Sequence, residues 1–386
     1  MFFKKKIIPY GKQAISYQDI WEVVKVLRSN WLTQGPKIKE FEDALCAYTG
    51  AKYAVALSNG TAALHLATLA LGVKPGDVGI TSPITFVASA NSMLYAGGEI
   101  TFADIDKNTG NINPEEIEKK ITEKTKVLIP VHFAGQSCDM SEISRIAKKH
   151  NLFVIEDAAH AIGSRYKNNK VGSCAYSDMT IFSFHPVKTI TTGEGGAITT
   201  NSYELYKKLL TLRTIGITRD PQELTQCDGP WYYQMHVLGF NYRMTDIQAA
   251  LGISQLKKLD KFVIRRRDIV KRYEQELAGD PRFAFLQEHA DSYAAFHLCP
   301  LLINFDLVKK NKKEIFEELK KRNIYLQVHY IPVHLQPYYK KKYNFTEGDY
   351  PNSENYYRET LSLPLYPTLS DRDITRVITT IREVII

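Results

Sequence analysis

The chain has 386 residues, 44% of them hydrophobic and 24% charged, the composition of a globular protein long enough for one large and one smaller domain. Its formal charge of +8 is carried by lysines in short scattered runs, without a nucleic-acid-binding motif near them, which favours a solvated face over a nucleic-acid partner. Five widely spaced cysteines without a C-x-x-C pair indicate neither a disulfide framework nor a metal site.

No segment approaches the about 18 uninterrupted apolar residues that a membrane helix needs, and the lysine-containing start of the chain lacks the apolar run of a secretory signal. We therefore expect a cytoplasmic protein that does not span a membrane and holds no metal.

The first predicted element is a helix near the start of the chain. Ser16 to Asp19 has the pattern of a capping box, which typically opens a helix. Apolar residues recur on one face of this helix, at Ile20, Val23, Val24 and Leu27. We expect the helix to dock on the main domain or on a partner subunit.

Two regions of different pattern follow. From about Ala54 to Thr200, short β-branched runs alternate with helical periods, which is typical of an α/β domain with helices on both faces of its sheet. After residues 265–267 the composition changes. A helical period with Ile315, Phe316 and Leu319 inward precedes a strand-like run at residues 324–331. We predict an N-terminal segment and large domain in residues 1–260, and a smaller α+β domain in residues 261–386.

Within the first region, a glycine-containing turn follows the strand-like run Tyr53 to Leu57. Gly60 lets the backbone approach an anion closely, and the amides of the helical turn at Thr61 could hold a phosphate. A well-capped helix without a ligand has the same pattern, so both interpretations stay open here. Phe86, which follows the next strand, is likewise either a stacking face for a ligand ring or plain core.

Two later strands end in polar residues. The run Leu152 to Ile155 leads into Asp157, at the end of a buried strand where open α/β sheets bind ligands, although a lone aspartate there is often a helix cap. The strand Met179 to Phe184 leads into Lys188, and the small residues 189–196 beyond it suit an anionic ligand. This setting favours a functional lysine over a surface lysine.

Together these candidates meet the needs of one cofactor. Pyridoxal phosphate requires a lysine for its aldehyde, a carboxylate for its ring nitrogen, a phosphate cradle and an aromatic or apolar face. Lys188, Asp157, the turn at Gly60 and Phe86 supply one candidate each. No G-x-G-x-x-G or G-x-x-x-x-G-K-[ST] motif points to a dinucleotide or a nucleoside triphosphate instead.

Four linked motifs carry a family resemblance, at residues 31–35 (WLTQG), 156–160 (EDAAH), 183–188 (SFHPVK) and 241–246 (NYRMTD). The chain resembles the DegT/DnrJ/EryC1/StrS sugar-nucleotide aminotransferases. The resemblance implies the aspartate aminotransferase fold (fold type I of the pyridoxal phosphate enzymes), with a large mixed-sheet domain and a smaller α+β C-terminal domain. It also implies a homodimer with shared active sites.

By this resemblance, Lys188 binds the cofactor's aldehyde as a Schiff base and Asp157 is the partner of the ring nitrogen. The remaining cofactor contacts that it implies are Gly60, Thr61 and Ser183 at the phosphate, Phe86 and His160 at the ring, and Asn241 from the other subunit.

Within the family, the chain is most similar to the C4 aminotransferases of pseudaminic acid synthesis, through residues 183–192, residues 327–330 and the Pro9-Tyr10 start. This implies that a UDP-linked 4-keto-6-deoxy amino sugar is aminated with L-glutamate as donor. It makes Tyr10, Arg243 and His329 candidate substrate contacts. Gly60 departs from these relatives, which often carry alanine there.

Several alternatives stay open. Enzymes that form 4-amino-arabinose, perosamine or 3-amino sugars share most of these features, and a non-catalytic sugar-binding protein could keep the same fold. Dehydration, which some relatives perform with histidine at the lysine position, is disfavoured by Lys188.

Overall fold

The computed structural model describes residues 6–386. The first five residues, on which part of the expectation about a secretory signal depends, lie outside the described part of the chain. The helices are α1 (Tyr17–Leu27), α2 (Pro36–Thr49), α3 (Gly60–Ala70), α4 (Ala88–Tyr95), α5 (Pro114–Lys120), α6 (Met140–His150), α7 (Tyr203–Arg213), α8 (Asp246–Leu256), α9 (Leu259–Leu277), α10 (Lys312–Lys321), α11 (Pro337–Tyr343), α12 (Pro351–Glu359) and α13 (Asp371–Val384).

The strands are β1 (Tyr53–Leu57), β2 (Val78–Thr81), β3 (Glu99–Phe102), β4 (Thr125–Ile129), β5 (Phe153–Asp157), β6 (Arg165–Tyr166), β7 (Asn169–Lys170), β8 (Met179–Ser183), β9 (Gly196–Thr200), β10 (Ile217–Thr218), β11 (Gln234–Met235), β12 (Phe283–Phe285), β13 (Ser292–Tyr293), β14 (Pro300–Ile303) and β15 (Thr360–Ser362). None of the helices in residues 6–386 is long and apolar enough to cross a bilayer.

A seven-stranded mixed sheet forms the centre of the large domain, in the order β1-β9-β8-β5-β4-β2-β3. Strand β9 runs antiparallel to both of its neighbours, and the other pairings are parallel. Strands β5 and β8 are adjacent and parallel, with Asp157 opposite Ile181. Their carboxyl ends therefore meet at one edge of the sheet, which brings the two polar strand ends together.

Helices cover both faces of this sheet, as the alternating pattern predicts. In β8, Ile181 packs in an apolar cluster with Leu64 of α3, whereas Phe182 packs in another with Phe41 of α2. Because successive side chains of a strand point to opposite faces, each strand contributes to two cores. A strand that is buried on both faces is a continuous apolar run in the sequence, and this pattern predicts its position.

A second core lies in the last third of the chain. It joins the antiparallel sheet β12-β14-β15 to α10 and α13, and Ile8 from the start of the chain packs in it. Helix α9 contributes to both cores, because Val263 lies in the large-domain cluster and Ile269 in the second one. The division at residue 260 stays a prediction.

One sequence expectation, the strand at residues 324–331, needs correction. Residues 324–331 form no strand but only isolated bridges, because Ile324 pairs with Ile8 while Gln327 pairs with Ser362, so consecutive residues share no partner strand. Helix α1 has the expected capping box and packs on α8 of the large domain, as the sequence predicts, while Ile20 and Leu27 of its apolar face stay exposed in the single chain. Its buried residues are Asp19 and Val26, and Asp19 accepts a hydrogen bond of 2.7 Å from Ser254 on α8.

Candidate active site

A cavity of about 640 Å³ lies at the carboxyl ends of β5 and β8, next to the first turn of α3. Nine of the eleven predicted site residues line it: Tyr10, Gly60, Thr61, Phe86, Asp157, His160, Ser183, Lys188 and His329. The other two, Asn241 and Arg243, are not part of its lining. Elements that are far apart in the sequence therefore converge on one space.

Lys188 and Asp157 are the charged pair of this cavity. Burial lowers the pKa of Lys188 to about 8, and the nearby charge of Asp157 opposes that effect. The Asp157 carboxylate accepts hydrogen bonds from Ser89 Oγ at 2.6 Å and from the Ala159 amide at 3.1 Å, which hold it in one orientation. Burial raises the pKa of Asp157, although both hydrogen bonds and Lys188 favour its charged form. The site thus presents an oriented carboxylate and an amine that titrates near neutral pH.

The neighbouring carboxylate, Glu156, points away from the cavity because side chains alternate along β5. It lies 2.7 Å from Nε2 of His132 and accepts a hydrogen bond from Thr180 at 3.1 Å. Burial raises its pKa, but these hydrogen bonds more than offset that effect and the pKa is lowered overall. Nδ1 of His132 accepts from the Cys138 amide, so Nε2 carries the proton and donates it to Glu156. Only the second carboxylate of the pair is free for chemistry.

The first turn of α3 forms an anion cradle. Asn59 caps the helix by accepting a hydrogen bond of 2.8 Å from the Ala62 amide. The amides of Gly60 and Thr61 are among those that a helix leaves without partners in its first turn. A Cβ atom at Gly60 would lie 2.9 Å from Cβ of Ser183, so the missing side chain lets α3 approach the end of β8. This geometry fits the phosphate of the predicted cofactor.

Aromatic and imidazole rings line another part of the cavity. Phe86 is 60% exposed although it is a large apolar side chain, which suits a face that receives a ligand ring. His160 is buried, its Nε2 lies 3.0 Å from the Tyr330 hydroxyl, and its Nδ1 has no partner among the described residues. Burial, and secondly the charge of Lys188, hold the pKa of His160 well below its usual value. A neutral imidazole with one unsatisfied nitrogen can bond a cofactor ring, so the residues present fit pyridoxal phosphate.

Tyr10, near the start of the chain, and His329, in its last third, lie together on one side of the cavity. Their rings are 5.4 Å apart, and Nδ1 of His329 lies 2.8 Å from the Ser362 hydroxyl. Burial lowers the pKa of His329 to about 3, so this ring is neutral. The two residues form a polar but uncharged wall.

Asn241 and Arg243 belong to the loop before α8. Asn241 forms a bridge with Thr214 and Arg243 forms one with Leu57. The residue between them, Tyr242, does line the cavity. The loop therefore runs beside the site, and the contribution of these two residues to the active site of another subunit stays a prediction.

The sequence reasoning missed several lining residues, namely Asn59, Glu194, Tyr242, His297 and Tyr330. Asn59 and Tyr242 adjoin predicted residues and could have been found from the helix cap and the loop motif. His297 has no such signal, because it reaches the cavity only through the packing of a distant segment on His160.

The family is decided by the whole-chain comparison. Residues 13–382 match the DegT/DnrJ/EryC1/StrS aminotransferase family. The chain belongs to this family. Spore coat polysaccharide biosynthesis protein SpsC of Bacillus subtilis is 43% identical over 99% of the chain and 98% of its own length. The UDP-4-amino-4,6-dideoxy-N-acetyl-β-L-altrosamine transaminase of Campylobacter jejuni serotype O:23/36 is 41% identical over 95% of the chain and 94% of its own length.

The solved structures agree with this assignment. PseC of Helicobacter pylori, an aminotransferase involved in pseudaminic acid biosynthesis, superposes with a TM-score of 0.91 at 33% identity, covering 98% of this chain and 99% of that chain. Similar folds have been solved in pyridoxal phosphate and pyridoxamine phosphate forms. This DegT-family protein is therefore a pyridoxal phosphate-dependent sugar aminotransferase with the predicted fold.

Proposed function

We propose that this aminotransferase transfers the amino group of L-glutamate to C4 of a UDP-linked 4-keto-6-deoxy amino sugar, as a UDP-4-amino-4,6-dideoxy-N-acetyl-β-L-altrosamine transaminase of pseudaminic acid biosynthesis. The observation that carries the reaction is Lys188 facing Asp157 beside the anion cradle of α3. The similarity to the Campylobacter jejuni transaminase and to PseC supports the substrate.

When bound, pyridoxal phosphate supplies an aldehyde that condenses with amines and a protonated ring that accepts the electrons of a carbanion. Asp157 would hold the proton on the ring nitrogen. Lys188, with a pKa of about 8, is partly neutral near physiological pH. As a free amine it would take the proton from the α-carbon of glutamate and pass it to the aldehyde-derived carbon of the cofactor. With the keto-sugar the direction is reversed, and Lys188 would take the proton from that carbon and deliver it to C4 of the sugar.

The other lining residues would bind and orient. The amides of Gly60 and Thr61 and the hydroxyl of Ser183 would hold the phosphate, and Phe86 and His160 would contact the ring. Tyr10 and His329 would contact the sugar with neutral polar groups, which suits hydroxyl and acetamido substituents.

We further propose a homodimer with shared sites, because the cavity of one subunit has too few cationic side chains for its anionic substrates. Both glutamate and a diphosphate are anionic, yet Lys188 is the only lysine or arginine among the described lining residues. Arg243 of a second subunit would supply the missing cation, with Asn241 of that subunit at the phosphate. Large apolar side chains are exposed on α1 and on the loop near residue 235, as an interface requires: Ile20, Leu27, Trp231 and Leu238.

A second candidate is amination of a different nucleotide sugar, such as a 4-amino-arabinose, perosamine or 3-amino sugar precursor. The similarity to SpsC, which is named for spore coat polysaccharide biosynthesis, favours keeping it open. A non-catalytic sugar-binding protein would have no need of the oriented Asp157 carboxylate.

A substrate panel tests the proposal. The loaded enzyme is incubated with glutamate and with UDP- or dTDP-linked 4-keto and 3-keto sugars, and products are identified by mass spectrometry and NMR. The proposal predicts amination at C4 of the UDP-linked acetamido sugar at the highest kcat/KM. Preferred amination of another sugar would overturn the substrate, and the absence of an amine from every sugar would overturn the catalytic role.

A further inference from the structure

Arg266 is a buried cation on α9, the helix that contributes to both apolar cores. It is 1% exposed, and no carboxylate in residues 6–386 forms an ion pair with it. Burial lowers the pKa of its guanidinium to about 10, which reflects the cost of keeping a charge away from water. A buried cation without a counter-ion must be compensated by other polar groups.

Backbone carbonyls provide that compensation. Nη1 of Arg266 donates to the carbonyl oxygens of His297 at 3.2 Å and of Leu365 at 3.1 Å, with a longer contact of 3.4 Å to that of Phe296. One nitrogen thus connects two chain segments that are far apart in the sequence.

Both segments reach the active site. The imidazole of His297 lines the cavity and lies 4.5 Å from the ring of His160, centroid to centroid. The Leu365 amide donates a hydrogen bond of 2.9 Å to the carbonyl oxygen of Tyr10, another lining residue. One hydrogen bond therefore joins Arg266 to the backbone of His297, and two successive hydrogen bonds through Leu365 join it to the backbone of Tyr10.

We propose that Arg266 is a positioning residue of the active site, which fixes His297 against His160 and Tyr10 against the cavity wall by clamping the backbone of both segments. Its place on α9 makes this possible, because Val263 packs in the large-domain core and Ile269 in the second core. A helix anchored in both cores offers a rigid base for the clamp.

Lysine cannot reproduce this function. It keeps the charge, but its ammonium lies at the end of a flexible unbranched chain, whereas the planar guanidinium fixes the position and direction of Nη1, the nitrogen that makes these contacts. Because a displacement of about 1 Å can slow an enzyme about 100-fold, Arg266→Lys should lower kcat by about that factor while the protein stays folded and loaded with cofactor.

Arg265→Lys is the matched control. Arg265 is the preceding residue of the same helix and also donates to a backbone carbonyl, that of Leu369 at 2.8 Å, but it is partly exposed and pairs with Asp371 at the surface. Each variant is assayed well below its melting temperature, and the visible circular dichroism of its bound cofactor is recorded. Only Arg266→Lys should change both kcat and the dichroism, because only it shifts the groups around the cofactor.

A double-mutant cycle with His297→Gln tests the route. Because Arg266 holds both His297 and Tyr10, the double variant should lose less kcat than the two single losses combined, although more than the worse single variant. Additive losses, or normal kcat and dichroism in Arg266→Lys, would overturn the proposal. If Arg266→Lys does not fold, His297→Gln alone decides. The proposal then requires that His297→Gln lowers kcat and alters the visible dichroism of the cofactor while the free energy of unfolding stays unchanged. A normal kcat and a normal dichroism would refute it.

Discussion

At the scale of single residues, the proposed mechanism depends on how burial shifts the pKa of Lys188 downward and that of Asp157 upward. Burial favours the neutral form of each group, while their mutual attraction favours the charged forms. The balance leaves a lysine that titrates near pH 8, which is the range in which a group can both accept and donate protons at physiological pH.

Lys188→Ala should abolish transamination, by about 10⁴-fold, because no other amine lines the described cavity. The cofactor should still bind loosely through the intact cradle. Borohydride reduction followed by intact-mass measurement should detect no covalent cofactor. Lys312→Ala is a suitable control, since burial also lowers the pKa of Lys312 to about 8 but the residue lies outside the cavity. Retained turnover in Lys188→Ala would refute the central role of this lysine.

Asp157→Asn should reduce kcat by about 100-fold while covalent attachment of the cofactor persists. The reason is that a neutral amide cannot keep the ring nitrogen protonated. Stopped-flow measurement of each half-reaction should locate the loss in proton transfer. Asp178→Asn serves as the control. Asp178 accepts a hydrogen bond of 2.8 Å from the amide of Val154, which lies on β5 as Asp157 does, but Asp178 does not line the cavity. A normal rate in Asp157→Asn would assign the carboxylate role to another residue.

At the scale of elements, the first turn of α3 combines a helix cap with the proposed phosphate site. Asn59 accepts from the Ala62 amide, and Ser202 caps α7 in the same way by accepting from the Leu205 amide. The two caps should therefore contribute similarly to stability. They differ in that Asn59 lines the cavity and Ser202 does not.

Asn59→Ala and Ser202→Ala should each lower the free energy of unfolding by about 1 kcal/mol. Only Asn59→Ala should also weaken binding of pyridoxal phosphate, by about tenfold, because fraying displaces the amides of Gly60 and Thr61. Urea unfolding and cofactor titration measure the two effects. Equal cofactor affinity in both variants would mean that the phosphate binds elsewhere.

At the scale of the whole molecule, the position of the loop before α8 leads to a test of assembly. Lys188→Ala subunits are mixed with subunits that carry Asn241→Asp and Arg243→Ala, each inactive alone. If sites are shared, a mixed dimer contains one intact site, and about a quarter of wild-type activity should return from random pairing. Self-contained sites would give no recovery. Analytical ultracentrifugation of each variant checks that loss of activity does not reflect loss of the dimer.

Buried neutral histidines predict a stability that depends on pH. Burial lowers the pKa of His160, His297 and His329, the last to about 3. The unfolded chain therefore binds more protons below about pH 6.5, so the stability present above this pH is lost as the pH falls, by up to about 1.4 kcal/mol per pH unit for each histidine.

Urea unfolding of the cofactor-free protein between pH 8 and pH 5 should reveal this loss. His329→Gln should give a shallower dependence, because one of the titrating groups is absent. His236→Gln, at an exposed position, should keep the wild-type dependence. An unchanged slope in His329→Gln would show that this histidine does not resist protonation in the folded protein.

The sequence by itself determined the α/β class, the strands that end at Asp157 and Lys188, and the cofactor. These follow from local patterns: a buried strand is a continuous apolar run, and polar residues directly after it lie at the sheet edge. The phosphate cradle was ambiguous at this level, since an ordinary helix cap has the same residues.

Only the tertiary structure decided which residues meet. The pairing of β5 with β8 brings Asp157 to Lys188, and the alternation of β5 sends Glu156 to His132 instead. His297 and the clamp at Arg266 left no local pattern, because their positions depend on contacts between segments that are far apart in the chain. Long-range contacts also explain why the predicted strand at residues 324–331 is wrong. The backbone there forms each bridge with a different segment of the chain. Local periodicity specifies an element and its faces, whereas the neighbours of each face are set by long-range packing.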